Sequence, residues 1–551
     1  MSARYESRKE EDDISLENYL RGRTELNAPD EAQALTDGQP DFGKVLRSLH
    51  LDSLVDLPVS SLSNGQSRRA RIARSLLSRP HVLLLDEPFM GLDPPAVEHL
   101  SALLNGMGSA EDPVLILALR PQDPLPTWIT HEVEVGEGLR AVYVGGVRNQ
   151  ARGHPRLEPG RTGGAAQQLN CASSFMESKS KVRERGELTP IDGYDNAGNG
   201  NSIVSMKGVQ IKYGNRMILG DWNQYDQDER RPGLWWNIKR GQRWGIVGPN
   251  GSGKTTLISL ICSDHPQSYS QPIEVFGRSR LPERGSPGIT IFDIQSRIGQ
   301  SSPEIHKFFP RGLTIRQTLE SAWADTFLGS PILTAERDDM VDTCLRWFEP
   351  EMNPNYTSQF PRTIETPLSD LQFTEWADDV LFGQVPFLGQ RVALFLRAII
   401  KRPELVVLDE AFSGMDFKAR DKCIVFLTEG NHVFINESKK RAITRCDSRK
   451  VNRDNLQGRL YAKNYRDNAI PGLDDQQALI CVSHVKEEVP PFVREWMRLA
   501  EPASGTAPRF YRISDNKHPH ESPSQRKPPL QDWPDFTPMN ARLWQMMWRG
   551  K

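Results

Sequence analysis

At 551 residues the chain can hold two or three domains, each with its own core, and a formal net charge of −2 gives no global pull toward nucleic acid or an anionic membrane. Six cysteines, Cys171, Cys262, Cys344, Cys423, Cys446 and Cys481, are scattered without metal-ligand spacing, which argues for a reducing compartment against a disulfide framework. No run reaches the roughly 18 to 20 apolar residues of a membrane span, and the charged stretch after Met1 lacks a signal-peptide core, so the expectation is a soluble intracellular protein, cytoplasmic first and mitochondrial second.

In chain order, residues 1–147 form a first domain, marked by RARIARSLLSRPHVLLLDEPFMGLD at 69–93. The segment reads as a helix, a turn at Arg79-Pro80 and an apolar run, Val82 to Leu85, ending in Asp86-Glu87. A short run without polar alternation predicts a parallel strand buried on both faces, hence an α/β, doubly wound core. Residues 148–200 are rich in Gly, Ser, Pro and charge and read as a flexible linker. A second domain spans 201–512. Within it the first segment recurs as RVALFLRAIIKRPELVVLDEAFSGMD at 391–416, with Arg74 matching Arg397, Asp86-Glu87 matching Asp409-Glu410 and Asp93 matching Asp416. The chain therefore carries two copies of one domain. A basic tract at about 430–476 reads as a solvated insertion, with RNA or DNA phosphate binding as the less favoured alternative. The Pro-rich tail, 513–551, ends in ARLWQMMWRGK, a helix disordered or packed back on its domain, with partner docking as the alternative.

The chemistry sits in the second copy. GPNGSGKTT, comprising Gly248, Pro249, Asn250, Gly251, Ser252, Gly253, Lys254, Thr255 and Thr256, follows the apolar strand Trp244 to Val247 and opens a helical pattern. Strand, glycine-rich loop and helix are the context of a phosphate-binding P-loop. The glycines let backbone N–H groups turn toward phosphates, and the helix N-terminus adds its dipole. Lys254 supplies a point charge to the β- and γ-phosphates, and Thr255 a hydroxyl for Mg²⁺. At the end of the strand Leu405 to Leu408, Asp409 is placed to hold Mg²⁺ and Glu410 to act as the base that orients the attacking water. A further strand, Ala478 to Ser483, ends at His484, from which an imidazole could reach the γ-phosphate.

With LSNGQ at 62–66, these residues resemble the ABC-ATPase superfamily over both repeats. The resemblance implies two P-loop NTPase-type ABC nucleotide-binding domains in tandem, the first incomplete, binding ATP with Mg²⁺. In that family the signature loop of one cassette closes over ATP held by the other. Carried over by position, Ser63, Asn64, Gly65 and Gln66 match the signature, Tyr213 the aromatic that stacks on adenine, and Asp93 and Asp416 the D-loop aspartates. Lys254, Glu410 and His484 would be catalytic. In style the chain is similar to soluble twin-cassette proteins of the bacterial molybdate-transport and photorepair type, in a fungal version.

Departures from the pattern fall on one side. The first copy has no P-loop, Pro386 stands where Ser63 stands, and Leu119 occupies the position of His484 in the first copy. Pro303 falls at the expected Q-loop glutamine, with Gln300 or Glu304 as replacements. One complete composite site, built from the second P-loop and the first signature, is the resulting expectation: an ATPase whose clamp opens and closes on an unidentified protein partner. Its rivals are a subunit docking on a separate membrane permease, a ribosome-acting factor, and a nucleotide-gated non-catalytic scaffold.

Overall fold

The computed structural model describes residues 14–22, 42–49, 51–57, 59, 62, 64–78, 80–90, 92–108, 113–119, 125–135, 141–146, 156–157, 187–194, 201–213, 216–226, 229–282, 285, 287–356, 374–430, 470–501, 504–514, 544 and 547–548. The chain divides into two compact units, Met1–Glu184 with Pro249–Gly251, and Arg185–Gly248 with Ser252–Lys551. No helix among the described residues is long and apolar enough to cross a membrane.

In the first unit, helices α1 (Leu16–Leu20), α2 (Phe42–Ser48), α3 (Asn64–Leu77) and α4 (Pro94–Gly108) accompany strands β1 (Val82–Asp86) and β2 (Val114–Ala118), paired in parallel. A separate antiparallel pair is β3 (His131–Val135) with β4 (Ala141–Gly146). The core gathers α1, α3 and α4 around Leu49, Ala73, Leu100 and Leu104. The expectation that β1 is buried on both faces is overturned. Leu83 is buried, whereas Val82 and Leu84, the latter 70% exposed, face outward with Val114 and Ile116 of β2. Among the described residues β1 has only β2 as a sheet neighbour, and no layer covers the face that carries Val82, Leu84, Val114 and Ile116.

The second unit begins inside the segment expected to be linker. β5 (Glu187–Pro190) is an edge strand, which corrects the 148–200 boundary. There follow β6 (Ser202–Val209), the hairpin β7 (Ile211–Tyr213) and β8 (Arg216–Leu219), β9 (Leu234–Lys239), β10 (Arg243–Val247), α5 (Lys254–Cys262), β11 (Ile273–Val275) and β12 (Ile298–Ser301). After these come α6 (Pro303–Phe308), α7 (Ile315–Glu320), α8 (Ala335–Trp347), α9 (Phe387–Ile399), β13 (Leu405–Asp409), α10 (Phe417–Glu429), β14 (Ala478–Val482), β15 (Glu495–Arg498) and β16 (Arg509–Ser514).

Its main sheet runs β12-β13-β14-β10-β15-β16-β5, parallel as far as β15 and antiparallel thereafter. β9, β6 and β11, with the short strand Arg278–Ser279, form a smaller antiparallel sheet. Along β13, Val406 and Leu408 enter a core with α9 and α10, while Leu405 and Val407 enter one with α5 and the antiparallel sheet. Every residue of β13 is buried, as its unbroken apolar run predicts. Gly299 on β12 shows how closely the layers approach, since a Cβ there would lie 1.7 Å from the Ala398 carbonyl oxygen of α9.

The repeat is visible bond by bond within each unit. Arg68 and Arg391 each donate to the main-chain oxygen of the following glutamate, Glu87 and Glu410. The N–H groups of those glutamates donate to Ala118 and Val482, both at 2.9 Å. Asp93 and Asp416 each accept from the backbone N–H three residues on, Ala96 and Ala419. The second of these contacts revises one alignment. With Ala118 matched to Val482, Leu119 matches Ser483, and the position of His484 falls on Arg120, which lies outside the described residues.

Candidate functional site

β10 delivers the chain to the glycine-rich loop, and α5 leaves it. Gly251 and Gly253 have φ of 81° and 93°, a backbone state that disfavours side chains. Gly248 is needed for space, because a Cβ there would meet Ser252 Oγ at 2.8 Å and Leu499 at 3.0 Å. Lys254 is buried, with its Nζ donating to the Gly248 carbonyl at 2.7 Å. Ser252 Oγ is buried and without a hydrogen-bond partner among the described residues. A curled loop holding a buried ammonium and an unsatisfied hydroxyl matches the donor set that a polyphosphate requires. Thr255 is exposed and Thr256 half-buried at the first turn of α5, while Pro249 and Asn250 are half-buried.

Asp409 and Glu410 close β13 with opposite electrostatics. Burial first, then the neighbouring Glu410 and Glu304 charges, push the Asp409 carboxyl well above the usual range, against Lys254 and Arg391. An acid in that state calls for a counter-charge, which a divalent cation beside it would provide. For Glu410 burial also pushes upward, but the nearby His484, Lys254 and Arg391 together outweigh it and hold the carboxyl below its ordinary value. Glu410 has φ of 45°, as Glu87 has 42°, an uncommon state for a non-glycine residue. Its Oε1 lies 3.3 Å from His484 Nε2. The His484 side chain, two residues beyond β14, is 3% exposed.

The second unit thus brings together Gly248, Ser252 to Thr255, Asp409, Glu410 and His484. Tyr213 ends β7, and its side chain lies outside what is described. Ser63 lies outside the described residues. Asn64, Gly65 and Gln66 open α3, with Gln66 half-buried and the side chains of the other two outside what is described. In the second copy, Pro386 N-caps α9 without a capping hydrogen bond, and Gln390 is engaged internally: its Nε2 donates to Val385 O at 2.7 Å, and its Oε1 lies 2.8 Å from His306 Nε2.

Sequence reasoning missed two participants. Arg391 is wholly buried, and burial lowers its guanidinium against the nearby carboxylates of Glu410, Glu488, Asp409 and Glu304. Its recurrence as Arg68 at the same interval was the signal that could have found it. Trp548, whose ring centroid lies 5.5 Å from that of His484, left no comparable trace. Pro303, at the expected Q-loop position, starts α6 behind an N-cap Ser302, and the adjacent Glu304 is one of the charges that act on Asp409.

The family model described as ABC transporter matches residues 8–90 and 233–413. An uncharacterized ABC transporter ATP-binding protein of Schizosaccharomyces pombe is 34% identical over 418 residues, 76% of this chain and 71% of that protein. Another from Saccharomyces cerevisiae is 30% identical over 457 residues, 78% of this chain and 75% of its own length. The Escherichia coli ABC transporter ATP-binding protein ModF is 28% identical over 414 residues, 73% and 72% of the two chains. With two matched regions in tandem and relatives of this kind along most of its length, the chain belongs to the family of ABC transporter ATP-binding proteins.

Proposed function

We propose that the chain binds Mg-ATP on Gly248 to Thr256 and hydrolyses it at one working site, completed by Ser63, Asn64, Gly65 and Gln66 of the first cassette, with the resulting opening and closing applied to a protein partner. The observation that carries this reading is the Glu410–His484 contact at 3.3 Å, beside the charge of the buried Lys254. Lys254 exchanges its Gly248 carbonyl partner for the β- and γ-phosphates, and the Ser252 hydroxyl gains the acceptor it lacks. Asp409 and the Thr255 hydroxyl are the groups that would hold Mg²⁺, which when bound neutralises phosphate charge. Glu410, kept ionised, accepts a proton from the attacking water as its oxygen bonds to the γ-phosphorus and the bond to the bridging oxygen of ADP breaks. His484 orients Glu410 and reaches the γ-phosphate.

Glu410→Gln tests the assignment because it keeps size and removes the basic oxygen. ATP affinity should stay near that of the parent while turnover falls by roughly two to four orders of magnitude. Parent-like turnover in this variant would place the base elsewhere.

A further inference from the structure

His484 lacks the support usual for a working imidazole. Such rings are oriented by a hydrogen bond to the nitrogen that does not do the chemistry. Here Nε2 lies 3.3 Å from Glu410 Oε1, and both ring nitrogens are buried with no hydrogen-bond partner among the described residues. Rotation about the side-chain bond is therefore opposed by packing.

The packing comes from the end of the chain. The Trp548 indole lies against the imidazole with ring centroids 5.5 Å apart and planes inclined by 36°. Trp548 is held in turn. Its carbonyl accepts from Arg498 Nη2 at 3.3 Å at the end of β15, and its ring contacts Trp544 at 6.0 Å. Trp544 meets Trp496 of β15 at 6.2 Å, and Met547, between Trp544 and Trp548 in sequence, is buried in the core that includes Trp496. Trp496 occupies the space over Gly245 in β10, where a Cβ would meet its ring at 2.5 Å. A row of aromatic rings thus connects His484 to the strand that feeds the glycine-rich loop.

We propose that Trp548 is a positioning residue for ATP hydrolysis, its indole holding the His484 ring in the orientation that brings Nε2 to Glu410. This rests on the reading of His484 and Glu410 given above. Aromatic face contact restrains a ring without adding a titratable group or a competing hydrogen bond. It also makes the geometry of the site depend on docking of the C-terminal segment.

The full chain carrying Trp548→Ala should bind ATP with parent affinity by calorimetry and show kcat lowered by roughly 10- to 100-fold, the scale of a misplaced reacting group, with KM little changed. Trp548→Phe, which retains an aromatic face, should recover most of that loss. In histidine-labelled protein the His484 signal, identified by its loss in His484→Gln, should be displaced by the indole ring current in the parent and in Trp548→Phe, and should move in Trp548→Ala. Parent-like kcat in Trp548→Ala overturns the proposal, as does equal impairment of the Ala and Phe variants. Should the parent itself fail to turn over ATP, the hydrolytic reading fails, and the His484 signal decides separately: no movement in Trp548→Ala overturns the positioning role.

Discussion

Asp409 and Glu410 are neighbours in sequence, yet the fold pushes one carboxyl up and holds the other down. Burial acts on both. The difference lies in partners: Asp409 has two carboxylates among its nearest influences, whereas Glu410 has His484, Lys254 and Arg391. The Lys254 charge favours ionisation of both while its ammonium waits on a carbonyl, so its removal should be felt at the phosphates most. Calorimetric titration is expected to show one ATP per chain, and Lys254→Ala to weaken binding by about two orders of magnitude, the scale of one charge-assisted hydrogen bond to phosphate. Two tight sites in the parent would refute this. The residues of the loop were legible because they are contiguous and their spacing is itself the mechanism. Trp548 was not, because it acts through folding that brings it back to a strand end from elsewhere in the chain, whereas Arg391 left its trace only in its recurrence as Arg68.

Among the elements, β1 and β13 show where pattern reading stops. Their sequences, Val82–Asp86 and Leu405–Asp409, are nearly interchangeable, and both predict burial on two faces. Only β13 has it, because layers cover both of its faces, α9 and α10 on one side and α5 with the antiparallel sheet on the other, whereas the Val82 and Leu84 face of β1 is left exposed. Burial belongs to the surroundings, and a local run cannot report them. β5 was missed for the converse reason, since ELTP has no apolar alternation and its strand exists through pairing with β16. The buried thiols of Cys262 in α5, Cys344 in α8, Cys423 in α10 and Cys481 in β14 carry a pH consequence. Burial favours the neutral thiol and raises all four. The folded state therefore keeps protons that the unfolded chain releases above roughly pH 8.5. The stability they supply is complete below that pH and declines as pH rises toward the folded values, by about 1.4 kcal/mol per unit for each thiol. Lys401, lowered to about 8 by burial and then by Arg397, works the other way, its contribution rising between that value and the roughly 10.4 of the unfolded residue. Four thiols outweigh one lysine. The urea midpoint should fall from pH 9 to about 10, and replacing Cys344 and Cys481 by Ala should flatten the fall; a midpoint that rises over that window would refute the assignment.

At the scale of the whole molecule, the internal repeat was legible because the spacing of Arg, Asp-Glu and Asp is the same in both copies, and the bonds made by Arg68, Glu87 and Asp93 are repeated by Arg391, Glu410 and Asp416. The proposed completion of one site by the first signature follows from which parts each copy retains. Ser63→Arg should spare ATP binding and abolish turnover. Mixing this protein with the Lys254→Ala protein should restore nothing if the two cassettes of one chain serve each other, as the effective concentration of tethered modules favours. Regained activity would show that sites form between chains. The open face of β1 and β2 bears on biosynthesis. The first unit leaves the ribosome well ahead of the second: the residues after Ala118 take on the order of 20 to 90 s to translate at ordinary rates. Throughout that interval Val82, Leu84, Val114 and Ile116 can present an apolar, sheet-forming surface to other nascent chains. Yield in the cell should then depend on chaperone supply during synthesis, even if the finished protein is stable. Leu84→Thr with Ile116→Thr, which places polar β-branched residues at both strand positions, should raise the soluble fraction when chaperones are limiting, measured as soluble against pelleted protein after brief induction. An unchanged partition would show that this face is not what limits the yield.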